Sequence, residues 1–187
     1  MKKFFILTTV MLSMFYFAES VNAGTLIEPY AGLHMGSSLA RESVTKDFTL
    51  SGTAVGARVG FQNLGLMVGL NAKMSSFTFK HDTSGFDGKA FDVTTYGAFV
   101  GYDFPILLRL WAEYVLAGTG EVEDLGKYTT VSGTRFGVGY KVFPFISLNF
   151  ELGNLEYTDY EPDAGGTSTD IDKATTYFFS ISIPLTL

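Results

Sequence analysis

Cysteine is absent from the 187 residues, which excludes a disulfide framework, a thiolate metal site and a thiol nucleophile together. Histidine is nearly absent too, with two residues, and proline is sparse, with five against twenty-one glycines. Beyond the first twenty or so residues no apolar run approaches the roughly 18 residues that a membrane-spanning helix needs. Positive charge is also short. The net charge of −6 comes without a polybasic stripe, which argues against nucleic acid as a partner. What the chain does have is 47% hydrophobic and 16% aromatic residues with a positive mean hydropathy. That apolar content must therefore be distributed. Abundant Phe, Tyr, Val and Thr with many glycines favour strands over helices.

The first segment reads as an export signal. Met1-Lys2-Lys3 forms a positive n-region, Phe4 to Ala18 an apolar stretch that Glu19 ends, and Val21-Asn22-Ala23 a small-residue cleavage site. The expectation is a signal peptide over residues 1–23, cleaved after Ala23, and a single domain over residues 24–187.

From Leu26 onward apolar residues recur with a period of two, the mark of strands that present one face to a greasy medium. Eight such segments can be divided into faces. Representative apolar faces are Leu66, Val68, Leu70, Ala72 and Met74, then Phe136, Val138, Tyr140 and Val142, with Gly69, Asn71 and Lys73 or Arg135, Gly137 and Gly139 opposite. Within these segments nearly all glycines share the face that carries Arg, Lys and Glu. A soluble sandwich would put bulky apolar residues on its crowded face and charges outside. Here the bulk lies on the other face, as in a barrel whose exterior meets lipid and whose narrow interior needs glycine to make room for long side chains. The predicted fold is all-β, an eight-stranded antiparallel up-and-down transmembrane barrel.

Connections alternate in length. Tight turns are expected near Gln62–Gly65, Asp103–Ile106 and Phe143–Phe145, and longer polar loops over about 37–51, 80–90, 119–130 and 157–173. Short turns belong to the periplasm and long loops to the exterior, which places both ends of the barrel domain in the periplasm. Phe61, Tyr102, Phe104, Tyr140 and Phe145 are expected in a lower aromatic girdle, and Tyr96, Tyr114 and Tyr177 in an upper one.

With these features the whole region from residue 24 on resembles the OmpA/OmpX-type eight-stranded outer-membrane barrels. The last strand resembles that family's assembly signal in its alternating Phe179, Ile181, Ile183, Leu185 and Leu187, with leucine where the family usually ends in phenylalanine. The resemblance implies a cell outer membrane location in a Gram-negative envelope, contact with outer-membrane lipid and lipopolysaccharide, and insertion by the barrel assembly machinery. It implies an OmpA-like transmembrane barrel without a peptidoglycan-binding domain, and a monomer.

Candidate functional residues lie mostly on the inner face, where Lys73 joins the eight charges expected to pair in two layers. Arg58, Glu113, Arg135 and Glu151 are expected to meet mid-barrel, and Glu28, Asp103, Arg109 and Lys141 nearer the periplasm, because buried charges must be paired. Such a lumen is charged and glycine-lined, which favours a plugged scaffold that presents loops to host or surface ligands. The alternatives are an OmpW-like conduit for small hydrophobic molecules and a narrow pore. Asp159, Glu161, Asp163, Asp170 and Asp172 offer weak oxygen ligands for calcium, but their spacing fits no known calcium loop, so no metal and no cofactor is expected. A lipid A acyltransferase or deacylase would need a base beside a serine and an acid. Only His34, expected to face inward, and His81, beside Asp82 and Ser84, supply an imidazole, so no enzyme is expected.

Overall fold

The computed structural model describes residues 23–41, 48–80, 88–162, 166 and 171–187. The expected signal peptide lies almost wholly outside them. Long antiparallel strands make up nearly all of the described chain: β1 (Gly24–Arg41), β2 (Phe48–Asn63), β3 (Leu66–Lys80), β4 (Ala90–Asp103), β5 (Leu108–Val122), β6 (Gly126–Phe143), β7 (Ile146–Pro162), β8 (Asp172–Ser182) and a two-residue β9 (Leu185–Thr186). Each of β1 to β8 pairs with its sequence neighbours among them, and β1 pairs with both β2 and β8, so the sheet closes on itself. β9 continues β8 past Pro184 and pairs with Leu26 and Ile27 of β1. The wall is therefore eight strands round. Closure satisfies backbone groups that lipid could not.

Alternation carries through every strand, but its meaning inverts part-way up. On the turn side, β3 points Leu66, Val68, Leu70 and Met74 outward and buries Met67, Asn71 and Lys73. On the loop side the same strand points Ser76 and Thr78 outward and buries Phe77 and Phe79. Other strands do the same, and the result is a buried cluster that includes Leu39, Leu50, Phe79, Phe91, Val115, Tyr128, Val131 and Tyr157. Phe91 lies at its centre, with ring centroids 5.4 Å from Phe79, 5.5 Å from Tyr157 and 6.0 Å from Tyr128. The lower half of the wall is built for lipid outside and polar groups inside. The upper half has the faces of a soluble β-barrel, apolar in and polar out.

This corrects two expectations. The paired charges fill only the lower half of the lumen; the upper half is lined mainly by apolar and aromatic side chains, with Asp172 the buried carboxylate there. The strands also run further than expected, leaving residues 42–47, 81–89, 123–125 and 163–171 as the connections. The third of these is a tight turn of Glu123, Asp124 and Leu125, closed by a bond from the Leu125 amide to the Val122 carbonyl at 3.1 Å. Bulges adjust the phase, among them one in β1 and one in β5. β1 gains a residue around Met35 and Gly36, which turns Gly36 outward at φ 68° and lets the Ser37 hydroxyl accept from the Tyr177 amide at 3.2 Å. β5 gains one at Leu116, between the pairs of Tyr96 with Ala117 and Gly97 with Val115.

Candidate functional site

The lower lumen is filled by the inward side chains of all eight strands. At its centre the Glu151 carboxylate of β7 accepts from Arg58 at 3.1 Å and from Lys73, with the Arg135 Nε 3.8 Å away. Arg135 forms its shorter bonds with Glu113 at 2.8 Å and with the Thr95 hydroxyl at 2.8 Å, and Glu113 accepts a second bond from Asn71 at 2.8 Å. Nearer the turns, Arg109 grips Glu28 in a two-pronged pair at 2.8 and 3.1 Å, and the Ser182 hydroxyl donates to the same carboxylate at 2.6 Å. Asp103 accepts from Lys141 and from Gln62 at 3.2 Å, with the Arg109 Nε at 3.9 Å.

The eight expected network residues thus all face the lumen, and the two expected layers are one chain of contacts. Arg58 joins them, reaching Glu28 at 3.4 Å as well as Glu151. Lys73 is the ninth member and belongs to the upper layer. Five cations face four carboxylates; the lone part-exposed member is Lys141, whose side chain is 23% accessible at the turn-side mouth. A buried charge is tolerated only with a partner and satisfied hydrogen bonds, and each carboxylate here has at least two donors.

Aromatic rings pack between the charges. The Arg58 guanidinium lies 4.3 Å from the Trp111 ring centroid and 4.8 Å from that of Tyr30, and the Lys73 ammonium 4.2 Å from Phe178. These cation–π contacts use the desolvated faces of the rings. They also explain two glycines: a Cβ on Gly137 would collide with the Trp111 indole, and one on Gly56 with the Tyr30 ring. Above them His34 lies between Phe77 and Phe178, at 4.5 and 4.7 Å between centroids, its Nε2 3.3 Å from the Ser75 hydroxyl. It is buried, and the aromatic cluster closes the lumen over it.

The remaining candidates separate. His81, Asp82, Ser84, Asp163 and Asp170 lie outside the described residues. Asp172 turns into the barrel, where Tyr128 donates to it, so it is not available to a loop site. Asp159 stays exposed at φ 57°, accepting from Thr130 at 3.1 Å. No group of three His, Asp or Glu suited to a metal occurs among the described residues. Phe179, Ile181, Ile183, Leu185 and Leu187 form one exposed outer stripe, held by reciprocal backbone bonds between Leu187 and Thr25 at 2.9 and 3.0 Å. The expected girdle residues Phe61, Tyr96, Tyr102, Tyr114, Tyr140, Phe145 and Tyr177 are exposed, and the half-buried Phe104 packs edge-to-face on Tyr102 at 4.8 Å.

An apolar exterior over a polar, plugged interior is the surface of a transmembrane barrel. Neisserial surface protein A matches with a TM-score of 0.56 over 87% of this chain and 98% of its own, at 13% identity. Ail, the attachment invasion locus protein of Yersinia pestis, matches with a TM-score of 0.55 over 88% and 100%, at 11% identity. The chain has the fold of the eight-stranded OmpA/OmpX-type outer-membrane barrels. No protein-family model matches this barrel, and no curated protein does. The likeness is one of architecture. The charge network and aromatic core that fill this barrel follow from its own residues.

The lumen pattern missed by sequence reading is the upper aromatic core. Phe77, Phe79, Phe91 and Tyr157 kept the period of two, but they stood where the outward residues had become Ser, Thr and charged, which reads as loop. In β3 and β4 the available signal was the swap itself, with bulk crossing to the other face without a break in period.

Proposed function

We propose that this protein is a closed scaffold in the outer membrane of a Gram-negative envelope, processed after Ala23, that holds surface loops outside the cell for attachment to host or surface ligands. One observation carries the reading: the lumen is filled along its length, by paired charges below and by packed aromatic and aliphatic side chains above. A barrel so filled offers no path for solute, and what it presents instead is a rigid stalk and its connections. Loops held by rigid scaffolds are where binding residues concentrate. The apolar exterior is suited to lipid, the polar strand exteriors above it to the lipopolysaccharide zone, and the outer stripe from Phe179 to Leu187 to recognition by the barrel assembly machinery. That one protein of this fold is named for attachment and invasion supports the adhesive reading.

Attachment tests it. Cells displaying the barrel should bind host-cell or matrix surfaces, and replacing residues 163–171 or 42–47 by a short turn should lower binding while the protein still migrates as a folded, heat-modifiable band. Unchanged attachment across both variants and a deletion strain would contradict an adhesive role.

The conduit alternative gains one feature from the structure, since the upper lumen is apolar as such a path would require. Packing opposes it: Val115 of β5 and Val131 of β6 are fully buried within the upper cluster.

A further inference from the structure

The turn side of the barrel ends in an apolar rim. Leu64 in the β2–β3 turn is 75% exposed, Ile106 and Leu107 stand exposed between β4 and β5, and Phe143 and Phe145 stack at 6.2 Å between β6 and β7. Across residues 60–69, 101–110 and 140–148 the charged side chains are Asp103, Arg109 and Lys141; Arg109 and Lys141 both turn to Asp103 on the lumen side, Lys141 part-exposed at the mouth. The outer surface of these turns therefore carries no charge. A turn standing in water would be expected to be polar.

The backbone makes the choice more pointed. Leu64 and Leu107 adopt φ of 49° and 66°, a region that bulky residues avoid and that turns ordinarily fill with glycine or asparagine. Leucine there costs conformational energy that an apolar surrounding would offset. Height supplies the second argument. The outward apolar run on β3 spans Leu66 to Met74, and at about 3.4 Å per residue with a strand tilt near 40° it rises about 20 Å. Outer-membrane barrels carry an apolar band of about 25 Å. Two further residues, down to Leu64, make up that difference.

We infer that the three periplasmic turns are seated in the inner, phospholipid leaflet at the boundary of headgroups and acyl chains, so that the barrel ends within the membrane and projects only outward. The occupant of the rim is lipid rather than a periplasmic protein, because the turns are what completes the band to bilayer thickness. This rests on the membrane-spanning reading.

The cysteine-free chain allows a direct test. Leu64→Cys, Ile106→Cys and Phe145→Cys are each labelled with an environment-sensitive fluorophore, with Val59→Cys in the belt and Lys173→Cys above it as references. The proteins are placed in phosphatidylcholine nanodiscs, where both faces meet solvent. Labels at all three turns should be quenched by phospholipid brominated near the carbonyl end of its acyl chains, and should resist aqueous iodide several-fold better than the label at 173. Turn labels as open to iodide as the one at 173, with the label at 59 still protected, would overturn the inference alone and leave the rim to a protein partner. An iodide-accessible label at 59 would overturn the membrane-spanning reading and the inference with it. Three turns are tested separately, so a variant that fails to fold leaves two that decide.

Discussion

Three cations converge on the carboxylate of Glu151, and for Lys73 it is the one carboxylate within ion-pair distance among the described residues. Removing one side of a buried pair strands the other, at about 3–5 kcal/mol. Glu151→Ala should therefore lower the unfolding free energy of the refolded barrel by about that amount. Glu113→Ala should cost less, since Arg135 keeps the Thr95 hydroxyl and the more distant Glu151. Denaturant titration checks both, and equal midpoints for the two variants would contradict this ranking. Gly137→Ala places a methyl in the Trp111 indole and should destabilise by about 1–3 kcal/mol through overpacking, measured in the same way. The inward direction of these charges was legible from the period of two. Who meets whom was not, because the height of a residue on one strand relative to the next depends on the stagger of the closed sheet.

At the scale of the strand, the inversion of faces is the main result. β3 and β4 each serve as lipid-facing wall near the turns and as soluble-type wall near the loops, with Phe77, Phe79 and Phe91 moved to the inside. Phe91→Ala should open a cavity in the upper core and cost about 3–5 kcal/mol, whereas Phe179→Ala, on the outer surface, should cost clearly less in lipid. An unfolding midpoint shifted equally by both would argue against a packed upper core. Sequence alternation showed the eight strands and their tight turns, yet ended several strands too early, as at Ser37 and Thr119, where the exterior turns polar. It also had no means of seeing the bulges at Gly36 and Leu116, since an inserted residue changes the phase without changing composition.

For the whole molecule, sorting of glycine and bulk between the two faces was enough to read a closed, inside-out barrel. What fills it was half legible. The charged lower lumen announced itself through residues that cannot be buried alone, while the upper core used the same aromatic residues that elsewhere face lipid. On the proposed reading the two fillings make the barrel a plug rather than a passage, and the scaffold proposal stands on that. Purified protein reconstituted into planar lipid bilayers gives the most direct test: under an applied voltage, with insertion verified by heat-modifiable migration, no stepwise conductance is expected above background. Steady, reproducible single-channel steps from the folded protein would contradict a closed lumen.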